Sequence, residues 1–240
     1  MVIAANRDEF YARPATAPQR VPGDPWIVAG TDLTAGGTWL GVNAHDICAG
    51  LLNRRSSTPP DPTRRSRGLL CMEALRESSV ATAAARVGRD SGTLYNAFNL
   101  LIASPHAVSV IGNVSGTMRT TLLQPGVHVL TNLDLNDSEC PRIAKSYALF
   151  DAARQELETG ALDRFRARLR EILSDHSTPL DPRSSGMPNN LCVHTERFGT
   201  RSSTILVYSA SMRRFMMWHA NGPPCQTDYL AVRVPEGTNR

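Results

Sequence analysis

Asn6-Arg7-Asp8-Glu9 closes an apolar run at the head of the chain, VIAA over residues 2–5. A strand end is a common place for polar side chains that face a cleft. Period-two alternation puts Asn6 and Asp8 on one face and Arg7 and Glu9 on the other, so a regular strand lets at most two of the four line one pocket. A charged surface turn with local Arg–carboxylate pairs would use the same residues. In AGGTWLGVN (35–43), the glycine pair before Trp39 suits a tight turn, or a close approach by another backbone or a ligand. VLTNLDLND (129–137) ends a strand in Asn132, Asp134, Asn136 and Asp137. Such residues cap a following helix, and an Asn at a strand end can also donate to developing negative charge. FGTRSSTIL (198–206) places Arg201 at the mouth of a strand. An arginine there either faces solvent or, beside a nucleophile, depresses its pKa or holds a substrate carboxylate. His194 follows Cys192 by two residues and Cys140 precedes Pro141, but neither spacing is diagnostic and structural roles are expected. The G-x-S-x-G, P-loop, G-x-G-x-x-G and H-E-x-x-H patterns are absent.

The elements that must position these residues alternate in type. Short apolar runs at 2–6, 26–30, 37–43 and 47–52 read as strands separated by Gly, Pro and Asp turns. Residues 68–88 read as two short helices, with Ser78-Ser79 as N-cap of the second. Runs at 97–104, 107–113, 118–124 and 126–132 predict an antiparallel meander, because their connections are only a few residues long. From Pro141 to Leu173 apolar residues recur at helical spacing, broken at Gly160, which predicts two more helices. The runs 201–210, 213–222 and 228–235 predict strands, the first two a hairpin across Ser211 and Met212. Strands, helices, meander, helices and strands again suit an α+β fold, a four-layer α/β/β/α sandwich with two mostly antiparallel sheets between helical layers. No linker or repeat divides residues 1–240, so a single domain is expected.

With 240 residues, 41% of them hydrophobic, the chain is long enough to bury a substantial core. It has no apolar run of membrane-spanning length, and residues 1–10 lack the pattern of a secretory signal, so a cytoplasmic protein with no integral membrane segment is expected. The net charge of +4 comes from arginines spread along the chain, with Lys145 the only lysine, which fits composition bias and gives nucleic acid no support as a partner. The densest cluster, RRSSTPPDPTRRSR (54–67), reads as a solvated loop or, less simply, an anion-binding lid. Five scattered cysteines without a C-x-x-C pair fit reduced thiols better than disulfides or a zinc site. No metal or cofactor is expected, and the expected partner is a small molecule.

AANRDEFYARP, AGGTWLGVN, FNLLIAS, GVHVLTNLDLND and FGTRSSTIL, in this order across nearly the whole chain, resemble the NRDE family, also called the transport-and-Golgi-organisation 2 family. That family is similar in turn to N-terminal nucleophile (Ntn) hydrolases of the penicillin V acylase and bile salt hydrolase kind, whose fold is the sandwich just described. In those enzymes an N-terminal cysteine thiolate attacks an amide carbonyl while the α-amino group serves as base. The resemblance implies that Asp8 holds the α-amino group, Asn132 helps form the oxyanion hole and Arg201 tunes the thiol. Asn6, Arg7, Trp39 and Asn99 are the implied substrate-binding residues. Two departures matter. Ala5 stands where the hydrolases have an arginine, which leaves the role of Arg7 open. Family members also begin Met-Cys with a further strand before the VIAANRDEF segment, so the expectation is that the chain as written starts internally, lacks its nucleophile and is inactive in this form. Two functions follow: hydrolysis of amide or acyl bonds by a longer form, or non-enzymatic holding of a hydrophobic anionic metabolite such as haem or an acyl-CoA, in line with family roles in haem and lipid handling.

Overall fold

The computed structural model describes residues 1–158, 160–181 and 189–236. Its elements in chain order are β1 (Val2–Phe10), β2 (Gln19–Val21), β3 (Ile27–Ala29), β4 (Leu40–Asn43), β5 (Cys48–Asn53), α1 (Arg67–Ala74), α2 (Val80–Gly88), β6 (Phe98–Ala103), β7 (Val108–Val114), β8 (Thr117–Leu122), α3 (Pro141–Glu158), α4 (Leu162–Leu173), β9 (Phe198–Ser209), β10 (Arg214–Ala220) and β11 (Leu230–Val232). Strands β2 to β8 form a seven-stranded meander in sequence order, and the second sheet runs β1-β9-β10-β11. All pairings are antiparallel.

Alternation along each strand builds the layers. In β1, Val2 and Ala4 pack with Ile205 and Val207 against α4's Phe165, Leu169, Ile172 and Leu173, while Met1, Ile3 and Ala5 face the other way, toward Val28, Leu40 and Val42 of the larger sheet. The larger sheet sends Ala49, Phe98, Leu100 and Ile102 outward onto Leu70, Leu75, Val80 and Val87 of the α1–α2 pair. The order is therefore α1–α2, seven-stranded sheet, four-stranded sheet, α3–α4, the expected α+β sandwich. The smaller sheet packs on β3 to β5, and the inner face of β6 to β8 is lined instead by an open groove of about 460 Å³.

Local sequence explains most element ends. Ser79 caps α2 by accepting from the Thr82 amide at 3.0 Å, and Thr82 returns the bond to the Ser79 amide, a capping box worth about 1 kcal/mol. Gly160 sits at φ 76° between α3 and α4. Both glycines of the pair before Trp39 are used: Gly36 turns at φ 75°, and a Cβ on Gly37 would lie 2.1 Å from the backbone of Gly68, so α1 enters against bare backbone.

Two expectations are corrected. Residues 126–132 are not a fourth meander strand. Asn136 engages both backbone groups of Val129, the Asn99 amide holds the Thr131 and Leu133 carbonyls, and the Arg55 amide holds that of Asn132, which leaves those backbone groups no place in a ladder with β8. The last strand is shorter than 228–235, and β2, short and largely exposed, was not anticipated. The 54–67 segment is a largely exposed loop, as expected, and its arginines anchor it: Arg64 and Arg67 donate to the carbonyls of Tyr95 and Ala97, and Arg65 reaches Glu73 and Asp90.

Candidate functional site

The site is organised by the two faces of β1. A bulge opposite Arg7 and Asp8 leaves Arg201 unpaired in the β1–β9 register. It turns Arg201 to the same side as its neighbour Ser202, because an inserted residue re-aims the side chains beside it.

On the helix side, Asn6 donates through its amide to the carbonyls of Leu173 and Leu191, both at 2.8 Å. Its Oδ1 accepts from Ser203 at 2.6 Å, and Ser203 in turn accepts from the Tyr229 hydroxyl at 2.6 Å. Burial pushes the Tyr229 phenol up to about 12 despite that bond to Ser203, so it stays a donor at neutral pH. Asp8 accepts from the Thr200 hydroxyl at 2.7 Å. It lies at the rim, exposed to solvent on one side, while the protein packed around its carboxylate raises its pKa against the opposing pull of Thr200 and Arg142. Arg142 also donates to Asn132 at 3.0 Å, so one guanidinium links the two carried-over residues Asp8 and Asn132.

On the inner side, the Arg7 guanidinium lies 4.2 Å from the Trp39 ring and 3.5 Å from Asp32. Trp39 leaves no room for a side chain at Gly30, whose Cβ would lie 2.4 Å from the indole. Arg13 binds the same Asp32 oxygen at 2.6 Å. Burial alone would raise the Asp32 carboxyl, but Arg13 and the Ala35 and Thr34 amides outweigh it and hold the group below the usual range. Arg201 donates to the Tyr11 carbonyl at 2.5 Å. Arg7 and Arg201 then meet at a cavity of about 20 Å³, with Thr16, Trp39, Ser202, His219 and Asn221 in its wall. His219 is 4% exposed and its Nδ1 pairs with the Thr204 hydroxyl at 2.9 Å, while Nε2 has no partner among the described residues. Burial lowers the imidazole to about 4, so at neutral pH it is uncharged.

Of the implied residues, Asp8 and Asn132 thus share Arg142, Arg7, Trp39 and Arg201 share the inner cavity, and Asn6 is tied into the helix-side network. Asn99, on β6, donates to the Thr131 and Leu133 carbonyls on either side of Asn132 and accepts from Arg54 at 3.1 Å beside the β6–β8 groove, where Arg54 also meets Asp134. Sequence reasoning missed His219, Arg142 and Asp32. For His219 a signal existed: Phe215, Met217 and His219 alternate along β10, and a histidine third in an inward row marks a polar group facing the cleft. Neither cavity is lined by a cysteine. Cys48 and Cys71 are fully buried, and burial pushes the Cys48 thiol up to about 12 and Cys71 upward as well, which leaves neither a nucleophile at neutral pH.

These layers and this bulged strand place the chain among proteins with the Ntn-hydrolase fold. It aligns with penicillin V acylase from Agrobacterium tumefaciens at TM-score 0.53 and 11% identity, over 96% of this chain and 77% of that one. A variant of the conjugated bile acid hydrolase from Clostridium perfringens aligns at TM-score 0.53 and 9% identity, over 98% and 94%. The family model for Transport and Golgi organisation 2 matches residues 1–218, and the chain belongs to that family. Its similarity to the mouse Transport and Golgi organization 2 homolog is 27% identity over 231 residues, 88% of this chain and 83% of the relative. No helix among the described residues is long and apolar enough to cross a membrane.

Proposed function

We propose that this protein binds a small molecule through an anionic head group seated between Arg7 and Arg201, with the rest of the ligand outside the inner cavity. The observation that carries this reading is His219 Nε2, a buried nitrogen without a partner among the described residues, in the wall of the cavity where the two arginines meet. A buried polar atom left unpaired costs about 1–3 kcal/mol, and a ligand oxygen would recover that cost. At about 20 Å³ the cavity has the scale of one water-sized group, so it takes a carboxylate oxygen or one phosphate oxygen and no more. The groove over β6 to β8, with Arg54 and Arg119 beside Val110 and Val114, offers a second surface that is both apolar and cationic. A hydrophobic anion such as haem or an acyl-CoA has that chemistry.

The test is titration with haem and with palmitoyl-CoA, read by quenching of tryptophan fluorescence, since Trp39 stacks on Arg7. Arg201→Gln and Arg7→Met should each weaken binding about 10-fold or more, the ~1.5–3 kcal/mol of a charge-assisted hydrogen bond. Unchanged affinity in both variants removes the head-group assignment.

A second reading, hydrolysis of an amide or acyl bond, is favoured by the likeness to an acylase and to a conjugated bile acid hydrolase. It needs a nucleophile, and among the described residues the cavity wall offers the Ser202 and Thr16 hydroxyls. A native form whose first residue is cysteine, found by N-terminal sequencing, with turnover of an acyl amide, would put this reading ahead of the first.

A further inference from the structure

Behind α4, three separated segments bring four metal-ligating side chains together. His176 follows α4, Cys192 and His194 lie in the strap that leads into β9, and Cys225 lies in the β10–β11 connection. The ligand atoms all fall within 4.8 Å of one another. Cys192 Sγ is 3.6 Å from Cys225 Sγ, and His194 Nε2 is 3.5 Å from the first sulfur and 3.3 Å from the second. A tetrahedral zinc ion with Zn–S of about 2.3 Å and Zn–N of about 2.0–2.1 Å has ligand-to-ligand edges of roughly 3.3–3.8 Å. All three of these separations match such edges. The second shell has the expected form too: His176 Nδ1 is 3.1 Å from the Cys192 carbonyl, the bond by which a metal-ligating imidazole keeps its other nitrogen for the ion.

We propose that His176, Cys192, His194 and Cys225 bind one zinc ion. Two thiolates and two imidazoles form the soft, tetrahedral donor set that favours zinc, and the two thiolates balance its charge. Four protein ligands leave no open position, so the ion is structural and not catalytic. No zinc signature is visible in the sequence because the ligands stand at 176, 192, 194 and 225 and meet only when α4, the strap and β10 are packed.

The position of the ion ties it to the candidate site. The strap that carries Cys192 supplies the Leu191 carbonyl to Asn6, and its Val193 amide donates to the Thr200 hydroxyl that in turn donates to Asp8. Zinc would fix that strap at both ends of its contact with β9. It is a clamp on the helix-side face of the NRDE segment, distinct from the anion pocket on the inner face.

The experiment is metal analysis of the full chain purified under reducing conditions, followed by reconstitution of the metal-stripped protein with Zn²⁺ or Co²⁺. About one equivalent of zinc per chain should survive desalting. Cobalt should give the intense visible bands of a tetrahedral site with sulfur-to-metal charge transfer, and zinc should raise the melting temperature. Cys225→Ser, at a half-buried loop position that should tolerate the change, and His194→Ala should each weaken zinc binding by more than the roughly 10- to 100-fold typical of losing an outer-shell partner. Substoichiometric metal, an octahedral cobalt spectrum without charge transfer, or unchanged binding in Cys225→Ser would overturn the proposal. So would a Cys192–Cys225 disulfide, two hydrogens lighter by intact mass, whose reduced form takes up no metal.

Discussion

The two faces of β1 use neighbouring residues of one short segment in opposite ways. Toward the helices, Asn6 is saturated by two carbonyls and the Ser203 hydroxyl, in a chain of hydrogen bonds that begins at Tyr229. Toward the larger sheet, Arg7 and Arg201 meet at a cavity where the His219 Nε2 has no partner among the described residues. A closed network specifies structure, because every group in it is satisfied by the fold itself. An open one leaves capacity for something else. The contrast implies that substitutions on the helix side damage stability more than binding, and those on the inner side the reverse.

The largest effect should come from Asn6→Leu. It orphans the Leu173 and Leu191 carbonyls, while the Ser203 hydroxyl keeps the Ala5 carbonyl as an acceptor, so the loss of stability is about 2–6 kcal/mol, summed from ~1–3 kcal/mol for each of the two carbonyls left unpaired. Urea unfolding would show it as a lower midpoint at unchanged slope. A midpoint within experimental error of the parent would mean that the helix-side network is not what holds α4 and the strap to the sheet.

His219 should give an effect nearly as large, but only in acid. Its folded pKa is lowered to about 4 from 6.5, so the unfolded chain binds more protons between those values and stability rises with pH across that window. The contribution is complete above pH 6.5 and lost as pH falls to about 4, and 2.5 units correspond to about 3 kcal/mol. His219→Gln should flatten that slope between pH 4 and 6.5. Bound ligand should flatten it too, because an anion beside Nε2 favours the imidazolium and raises the folded pKa toward 6.5, and should leave it unchanged if the head group sits elsewhere.

The legibility of these two faces in the sequence was unequal. Alternation in VIAANRDEF separated Asn6 and Asp8 from Arg7 and Glu9, because period two is a property of the strand alone. The bulge that brings Arg201 beside Ser202 has no such local signal, since it depends on how β9 pairs with β1. Ser79 was readable as a cap because its partner Thr82 is three residues away. The 126–132 segment was misread as a strand because its apolar residues alternate, while the competitors for its backbone, Asn99 and Arg55, come from distant parts of the chain. The Cys–His cluster failed in the same way at longer range. The inward position of His219 is the exception, since its alternation with Phe215 and Met217 along β10 is local, whereas the other hidden features depend on tertiary contacts.

The smallest effect, and the sharpest division between the faces, should come from Asp8→Asn. The amide oxygen can still accept from the Thr200 hydroxyl, so shape is kept and only charge is lost. The charge sits at the solvent rim near Arg142, and an exposed pair of this kind is worth about 1 kcal/mol at most. Stability at neutral pH should therefore change by less than that, and affinity for haem or palmitoyl-CoA should be unaltered, since Asp8 faces away from Arg7 and Arg201. Loss of binding in Asp8→Asn with stability preserved would join the two faces into one functional unit. It would then favour a reaction centre that uses Asp8 and Asn132, linked through Arg142, over a binding site confined to the inner cleft.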